Sequence, residues 1–318
     1  MQAYYCDHFV LPLPDGHRFP MDKYRLLRLA VGNQLPEVKL LDPPAASLGQ
    51  LALAHDPAYI DQIVTGTVSA AQMQAIGFPW STAMVTRSRH SVGATIAAMR
   101  AVLEPASVSA QPWIAANLAG GTHHAKRNQG EGFCVFNDVA VAARLAQAER
   151  LAQEVIILDL DVHQGNGTAA ILAADERILT VSLHGANNYP FAKAASDIDI
   201  ALPDGSGDDV YLAALDDALL QVTAWLNGIR PRGSVLPPLV LFLAGVDPHE
   251  LDRLGKLRVT TAGLATREQR VFAWAWEQGC RVALSMAGGY SRELNQTVAL
   301  HLQTIKLAAS WAAKPAKK

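Results

Sequence analysis

The sequence predicts an α/β fold, a single domain with a mostly parallel central sheet and helices on both faces. Three observations predict it. Short apolar runs rich in β-branched residues alternate with segments of helical period, the pattern of strands that helices bury on both faces. Four of these runs stop at polar or glycine-rich turns, as strands do at a ligand crevice. No internal repeat or linker-like stretch divides the 318 residues, 50% of them hydrophobic and 18% charged, which suffice for one large core. The break at 230–238, with three prolines, is short and falls between a helix and a strand.

From the N-terminus, residues 2–6 read as a first strand, and Pro12, Pro14, Asp15, Gly16 and Pro20 punctuate the loop after it. Asp22 is placed to cap a helix carrying Tyr24, Leu26, Leu27 and Ala30. Residues 57–64 read as a short helix and 81–103 as a long one, and 113–119 is an apolar strand ending at Gly120-Gly121. Over 137–151 the helical period turns Val139, Val141, Ala142, Leu145 and Ala146 inward. A strand at 154–159, a helix near 168–174 and a strand at 177–183 follow. Gly207 and Asp208 begin a long helix to about 228. Strands at 239–244 and 281–287 enclose a helix near 266–277, and 291–312 closes as a helix. Residues 313–318, ending in KPAKK, read as a disordered tail.

Composition excludes several classes of function. A net charge of −2 offers no basic field to nucleic acid or to a membrane surface. No stretch approaches the ~20 unbroken apolar residues of a membrane span. The first ten residues lack the basic-then-apolar order of a secretion signal. Cys6, Cys134 and Cys280 are odd in number, far apart and set among apolar residues. They read as reduced core residues of a cytoplasmic protein, not as a disulfide frame or a thiolate metal site. The alanine-rich, lysine-poor composition has a bacterial cast.

The chemistry gathers around residues 154–168, EVIILDLDVHQGNGT. Val155–Ile157 and Leu158 make a buried strand, after which Asp159, Asp161 and His163 fall at alternate positions. Charges that end a buried strand need something to repay their desolvation, and a metal ion does so. An Asp–His pair capping the next helix is the plainer reading of that stretch alone. The other apolar strands end in GGTHHA, with His123 and His124, in GVDPHE, with Asp247, and in GGY, with Tyr290. Asp161, His163 and Asp247 would give a divalent ion an Asp₂His set with a position left for water. The tandem histidines can then move protons and the Tyr290 phenol can face an oxyanion, the parts of a metal-assisted amide hydrolase. Singly, each part also reads as turn or core: histidines after a Gly-Gly turn, an Asp-Pro turn, a packed tyrosine. A phosphate loop at Gly120-Gly121 lacks any supporting glycine pattern.

These same residues resemble the histone deacetylase family. GGTHHA and EGFCVFNDVAVAA (within 120–143), ILDLDVHQGNGT (157–168), TVSLHG (180–185), AGVDPHELDRLG (244–255) and MAGGY (286–290) are similar to its signatures and in its order. HRFPMDKY (17–24), HDPAYI (55–60) and IGFPWS (76–81) resemble its class IV branch and bacterial relatives. The resemblance implies the arginase/deacetylase fold, with a deacetylase domain over 1–312. It implies zinc, or alternatively iron(II), on Asp161, His163 and Asp247. His123 and His124 match the catalytic pair, Asp159 and Asn166 the residues that orient them, and Tyr290 the oxyanion donor. Phe133 and Tyr189 match walls of an acyl-lysine channel, with Gly132, Gly288 and Gly289 beside the substrate. A structural potassium is implied at Asp159, Asp161, His163, Ser182 and Leu183. The implied partner is an acylated lysine or an acylated polyamine or other small amine, with no nucleic acid and no membrane, and an oligomer is compatible with it. Gln164 replaces a histidine of some branches, and the rim around 78–87 lacks an aspartate to grip a peptide backbone. Those two departures count against a peptide substrate and for a small acylated amine, while the resemblance as a whole makes deacylation of N-acyl-lysine the expected function. An acetylpolyamine amidohydrolase, an arginase-like ureohydrolase on two manganese ions and a non-catalytic acyl-lysine binder are the alternatives.

Overall fold

The computed structural model describes residues 1–104, 112–229 and 236–316. Among them, eight strands form the sheet: β1 (Gln2–Tyr4), β2 (Lys39–Leu41), β3 (Ile114–Asn117), β4 (Val155–Asp159), β5 (Ile178–Gly185), β6 (Ile198–Leu202), β7 (Leu239–Leu243) and β8 (Arg281–Ser285). They lie in the order β2-β1-β3-β8-β7-β4-β5-β6, and every pairing is parallel.

Helices α1 (Asp22–Gln34), α8 (Asp208–Ile229), α9 (Thr261–Glu277) and α10 (Leu294–Ala312) cover one face. The other carries α2 (Leu48–Leu51), α3 (Pro57–Thr65), α4 (Ala70–Ile76), α5 (Thr82–Leu103), α6 (Asp138–Ala148) and α7 (Asn166–Leu172). Strand β4 shows why the runs are continuous. Ile156 and Leu158 join Phe242 and Phe272 on the first face, while Val155 and Ile157 join Leu241 and Val139 on the second. With water on neither side, alternation disappears, and each fully buried Leu, Ile, Val or Phe contributes about 1.5–3 kcal/mol.

Several sequence expectations are corrected. Asp22 does not cap α1; the cap position is Met21, without a side-chain bond, and Asp22 sits inside the first turn, where the helix dipole favours a carboxylate. Helix α9 starts at Thr261, capped by Thr260 accepting from Gly263 N–H, several residues before the expected start near 266. Helix α7 starts at Asn166, so the strand-to-helix turn is tighter than read. Strand β4 stops at Asp159, and a hydrogen-bonded loop carries Asp161 and His163. Strands β2 and β6 and helices α2 and α4 have no counterpart among the sequence expectations. They are short and peripheral, although Ile198, Ile200 and Leu202 in β6 do alternate. Of the tail read as disordered, the Lys314 carbonyl accepts from the Trp113 indole and that of Pro315 from Trp276, while 317–318 lie outside the described residues. The break at 230–238 lies mostly outside them too. Cys6, Cys134 and Cys280 are buried and form no disulfide among the described residues. Among the described residues no helix is long and apolar enough to cross a membrane.

Candidate active site

The four polar strand ends belong to four adjacent strands, β3, β8, β7 and β4, at the middle of the sheet. Chain order is interrupted there, because the chain leaves β3 through α6 and enters β4 on the far side of two intervening strands. That is the switch point at which an open parallel sheet leaves a crevice beyond its carboxyl edge.

Asp161, His163 and Asp247 converge there with ligand atoms all within 4.8 Å of one another, and all three are buried. Backbone donors fix the carboxylates: Val162 N–H bonds Asp247 Oδ1 at 2.9 Å, and Gly288 N–H bonds Asp161 Oδ2 at 2.7 Å. His163 Nδ1 lies 2.9 Å from Asp161 Oδ1 and 3.2 Å from Asp247 Oδ2. Asp247 Oδ2 itself is buried without a hydrogen bond. A Cβ on Gly288 would stand 1.9 Å from that oxygen, so only glycine leaves the space open. Burial alone would lower His163, but the two carboxylates raise it to about 10, and burial followed by the Asp161 charge lifts Asp247 to about 7. Two carboxylates and an imidazole, desolvated and facing one another with an oxygen unbonded, fit a divalent cation.

The tandem histidines stand beside this triad with ring centroids 4.2 Å apart. His123 Nδ1 meets Asp159 Oδ2 at 2.6 Å. Burial works against its charge, yet Asp159 and then Asp161 raise its pKa to about 9. His124 Nδ1 meets the amide oxygen of Asn166 at 2.8 Å. Burial, then the charges of His123 and His163, push His124 well below its ordinary range. The pair is therefore uneven, with a carboxylate favouring the imidazolium at His123 and only a neutral amide beside His124.

Tyr290 is held by its backbone, with N–H to Asp252 Oδ2 at 2.6 Å and C=O to Arg253 Nε at 3.0 Å. Its ring faces His163 with centroids 6.4 Å apart. Burial first, then Tyr24 and the site carboxylates, keep its phenol protonated far above neutral pH. Phe133 comes from a tight turn in which Glu131 and Cys134 exchange backbone bonds of 3.1 and 2.9 Å. Both central residues have positive φ, Gly132 at 56° and Phe133 at 66°. A Cβ on Gly132 would stand 2.6 Å from His124 Cδ2, so close packing also demands glycine. For Phe133 that backbone costs on the order of 1–3 kcal/mol, a strain of the kind found at working sites.

A cavity of about 560 Å³ opens above the triad. Phe19, Phe78, Phe133, Tyr189, Phe191 and Tyr290 line it, together with His123, His124, Asp161, His163 and Gly288. Asp159, Asn166, Ser182 and Leu183 are buried behind it, and the β4–β5 register sets Asp159 beside Ser182. Gly289 is not brought to the lining: a Cβ there would meet Val246, Thr297 and His301, so close packing behind the site requires it. Gln164 ties the metal loop to β6 through Asp199, at 2.8 and 3.0 Å. Arg87 is no rim residue, since it is buried and its guanidinium serves the carbonyls of Cys6 and Phe9.

Two residues near the chemistry had no sequence signal of their own. Lys23 is buried with Nζ 3.1 Å from the Ala287 carbonyl and 5.2 Å from the centre of the Tyr290 ring. Glu131 lies inside the EGFC stretch, and its Oε1 accepts from Asn166 Nδ2 at 2.6 Å.

Comparison with known proteins agrees with this geometry. The histone deacetylase domain family matches residues 17–305. An uncharacterized protein of Picosynechococcus sp. is 40% identical over 93% of this chain and 94% of its own length. Histone deacetylase 2 of Arabidopsis thaliana is 28% identical over 91% of this chain and 73% of its own. Among solved structures, an HDAC homolog complexed with SAHA superposes with a TM-score of 0.77 at 22% identity, over 96% of this chain and 83% of the other. Acetylpolyamine aminohydrolase from Burkholderia pseudomallei gives 0.76 at 20%, over 98% and 99%.

Proposed function

The chain belongs to the histone deacetylase family, and from that premise we propose that it hydrolyses the amide of an N-acylated amine, N-acyl-lysine foremost. It is a hydrolytic enzyme, as its deacetylase and amidohydrolase relatives are. The observation that carries the finer reading is the buried Asp161–His163–Asp247 triad at the floor of an aromatic cavity, with an imidazole pair and a phenol beside it.

Asp161, His163 and Asp247 would hold zinc or, alternatively, iron(II). Such an ion supplies Lewis acidity and a water acidic enough to attack near neutral pH. His124 is neutral at pH 7, and its Nδ1 is engaged by Asn166. Its Nε2 is left to take a proton from the attacking water and to return it to the leaving nitrogen. His123, whose Nδ1 is held by the Asp159 carboxylate, is favoured in its charged form beside the reacting carbonyl. Tyr290 donates its phenolic proton in a hydrogen bond to the carbonyl oxygen as negative charge develops there. Phe133 and Tyr189 flank the acyl-bearing chain. A structural potassium would sit among the carbonyls around Asp159, Asp161, His163, Ser182 and Leu183.

Charge on the lining favours lysine over polyamine. Leaving aside the buried Arg87, the described lining carries Arg18 and Lys256 against one carboxylate, Asp161 at the floor. A polyamine would bring further cations to that rim, whereas an acyl-lysine with neutral or acidic neighbours would not. The decisive assay measures turnover of N-acyl-lysine peptides of varied acyl length and flanking charge, and of acetylated polyamines, before and after chelation. Chelator-sensitive deacylation of lysine peptides, faster with neutral or acidic flanks, is expected. Turnover of polyamines alone would transfer the enzyme to that substrate class, and full activity after complete metal removal would end the mechanism.

A further inference from the structure

We infer that Glu131 is a positioning residue that selects the proton-accepting tautomer of His124 by orienting the side-chain amide of Asn166. The inference rests on the deacylase reading, and it begins with what a carboxylate can do. Glu131 Oε1 lies 2.6 Å from Asn166 Nδ2, and Oε2 takes Lys126 Nζ at 3.1 Å and Gln129 Nε2 at 3.4 Å. An ionised carboxylate only accepts, so it can face only the NH₂ end of the asparagine. That turns Asn166 Oδ1 toward His124 Nδ1, 2.8 Å away. An amide oxygen also only accepts, so His124 must carry its proton on Nδ1. Nε2 is then the bare nitrogen. Were the amide reversed, its NH₂ would require a lone pair on Nδ1. Nε2 would carry the hydrogen and could take no proton from water.

The turn that shapes the channel also places this carboxylate. Glu131 opens the tight turn whose next residues are Gly132, packed against His124, and Phe133, on the cavity wall. The turn is docked on the end of α4 by Gly132 N–H to the Ala75 carbonyl at 3.0 Å and Phe133 N–H to that of Ile76 at 2.7 Å. Burial and then the Glu131 charge raise the pKa of Tyr189, on the cavity lining. It lies at the far side of Asn166 from the reacting atoms, so it acts through that amide. His123 has its carboxylate in direct contact; His124 has one removed by a single neutral residue.

Glu131→Gln tests this with one atom changed. Lys126 will claim the new amide oxygen, which leaves an NH₂ facing Asn166 and reverses that side chain. In zinc-loaded protein with ¹⁵N-labelled histidine, long-range ¹H–¹⁵N spectra should show His124 as the Nδ1–H tautomer in the wild type. In the variant it should shift to Nε2–H. Turnover of an acyl-lysine peptide should fall about 10–100-fold in kcat, with KM and zinc content changed little. In an Asn166→Ala background the same substitution should cost nothing further, because the connecting amide is gone. An unchanged tautomer, or equal kcat losses in both backgrounds, would overturn the role assigned to Glu131. The spectra require no turnover, so they judge Glu131 even if the substrate class is wrong.

Discussion

At the floor of the cavity, Asp161 accepts from the backbone N–H groups of His163 and Gly288, and Asp247 accepts from that of Val162. Along the wall, Phe19, Phe78 and Phe133 meet only through their rings, with centroids 4.9–5.4 Å apart. Phe191 at the rim is 87% exposed. Hydrogen bonds and missing Cβ atoms specify one geometry for the floor, whereas apolar contact is non-directional and permits several for the wall. Changes at the floor should therefore remove chemistry, and changes at the wall should adjust affinity.

The largest test strikes the triad. His163→Ala should take bound metal from about one equivalent per chain to almost none, with turnover lost alongside it, by elemental analysis and assay. Gly288→Ala should do nearly the same without replacing a ligand, since its Cβ would stand 1.9 Å from Asp247 Oδ2. If the alanine variant kept both metal and activity, the floor would be as adaptable as the wall, and the contrast would fail.

Tyr290 belongs to both regions, with a wall ring and a floor hydroxyl. Removing the hydroxyl in Tyr290→Phe should lower kcat by about 10²–10³, while melting temperature, metal content and hydroxamate binding hold. A stable, fully active variant would return Tyr290 to the wall.

His55 anchors the segment that carries both the histidine pair and Phe133. Its Nδ1 donates to the Lys126 carbonyl at 2.9 Å, and its Nε2 accepts from Asn137 N–H at 2.8 Å. Burial lowers its pKa to about 4 from the ordinary 6.5. Between those values the unfolded chain holds a proton that the folded one does not. Its contribution is thus complete above pH 6.5 and lost as pH falls toward 4, by about 3 kcal/mol in all. Denaturation at pH 7 and pH 4.5 should show the wild type losing more stability than His55→Gln by roughly that amount. Parallel losses would mean that His55 is not the titrating anchor.

The smallest effect is expected at the rim. Phe191→Ala should change stability by no more than about 0.5 kcal/mol and leave kcat alone. KM for an acyl-lysine peptide should rise only a few-fold, about 1 kcal/mol of lost apolar contact. A collapse in kcat would show that the wall, too, controls the chemistry.

Local pattern sufficed for the central strands and for the residues at their ends. The run at 155–158 is apolar because both faces of β4 are buried, and Asp159, Asp161 and His163 break it because charge needs a reason to be there. Caps and edges were less legible, since Met21 at the start of α1 makes no side-chain cap bond and β2 has only three residues. What tertiary structure alone decided is adjacency. Nothing in the chain order says that β8 and β7 lie between β3 and β4, yet that order gathers four distant strand ends into one crevice. Nor does the sequence say that Glu131, 35 residues from Asn166, turns its amide. Periodicity records which face of an element is buried, because burial acts on each residue separately. Which partner a polar atom meets depends on where two elements stop in space, and only the folded chain determines that.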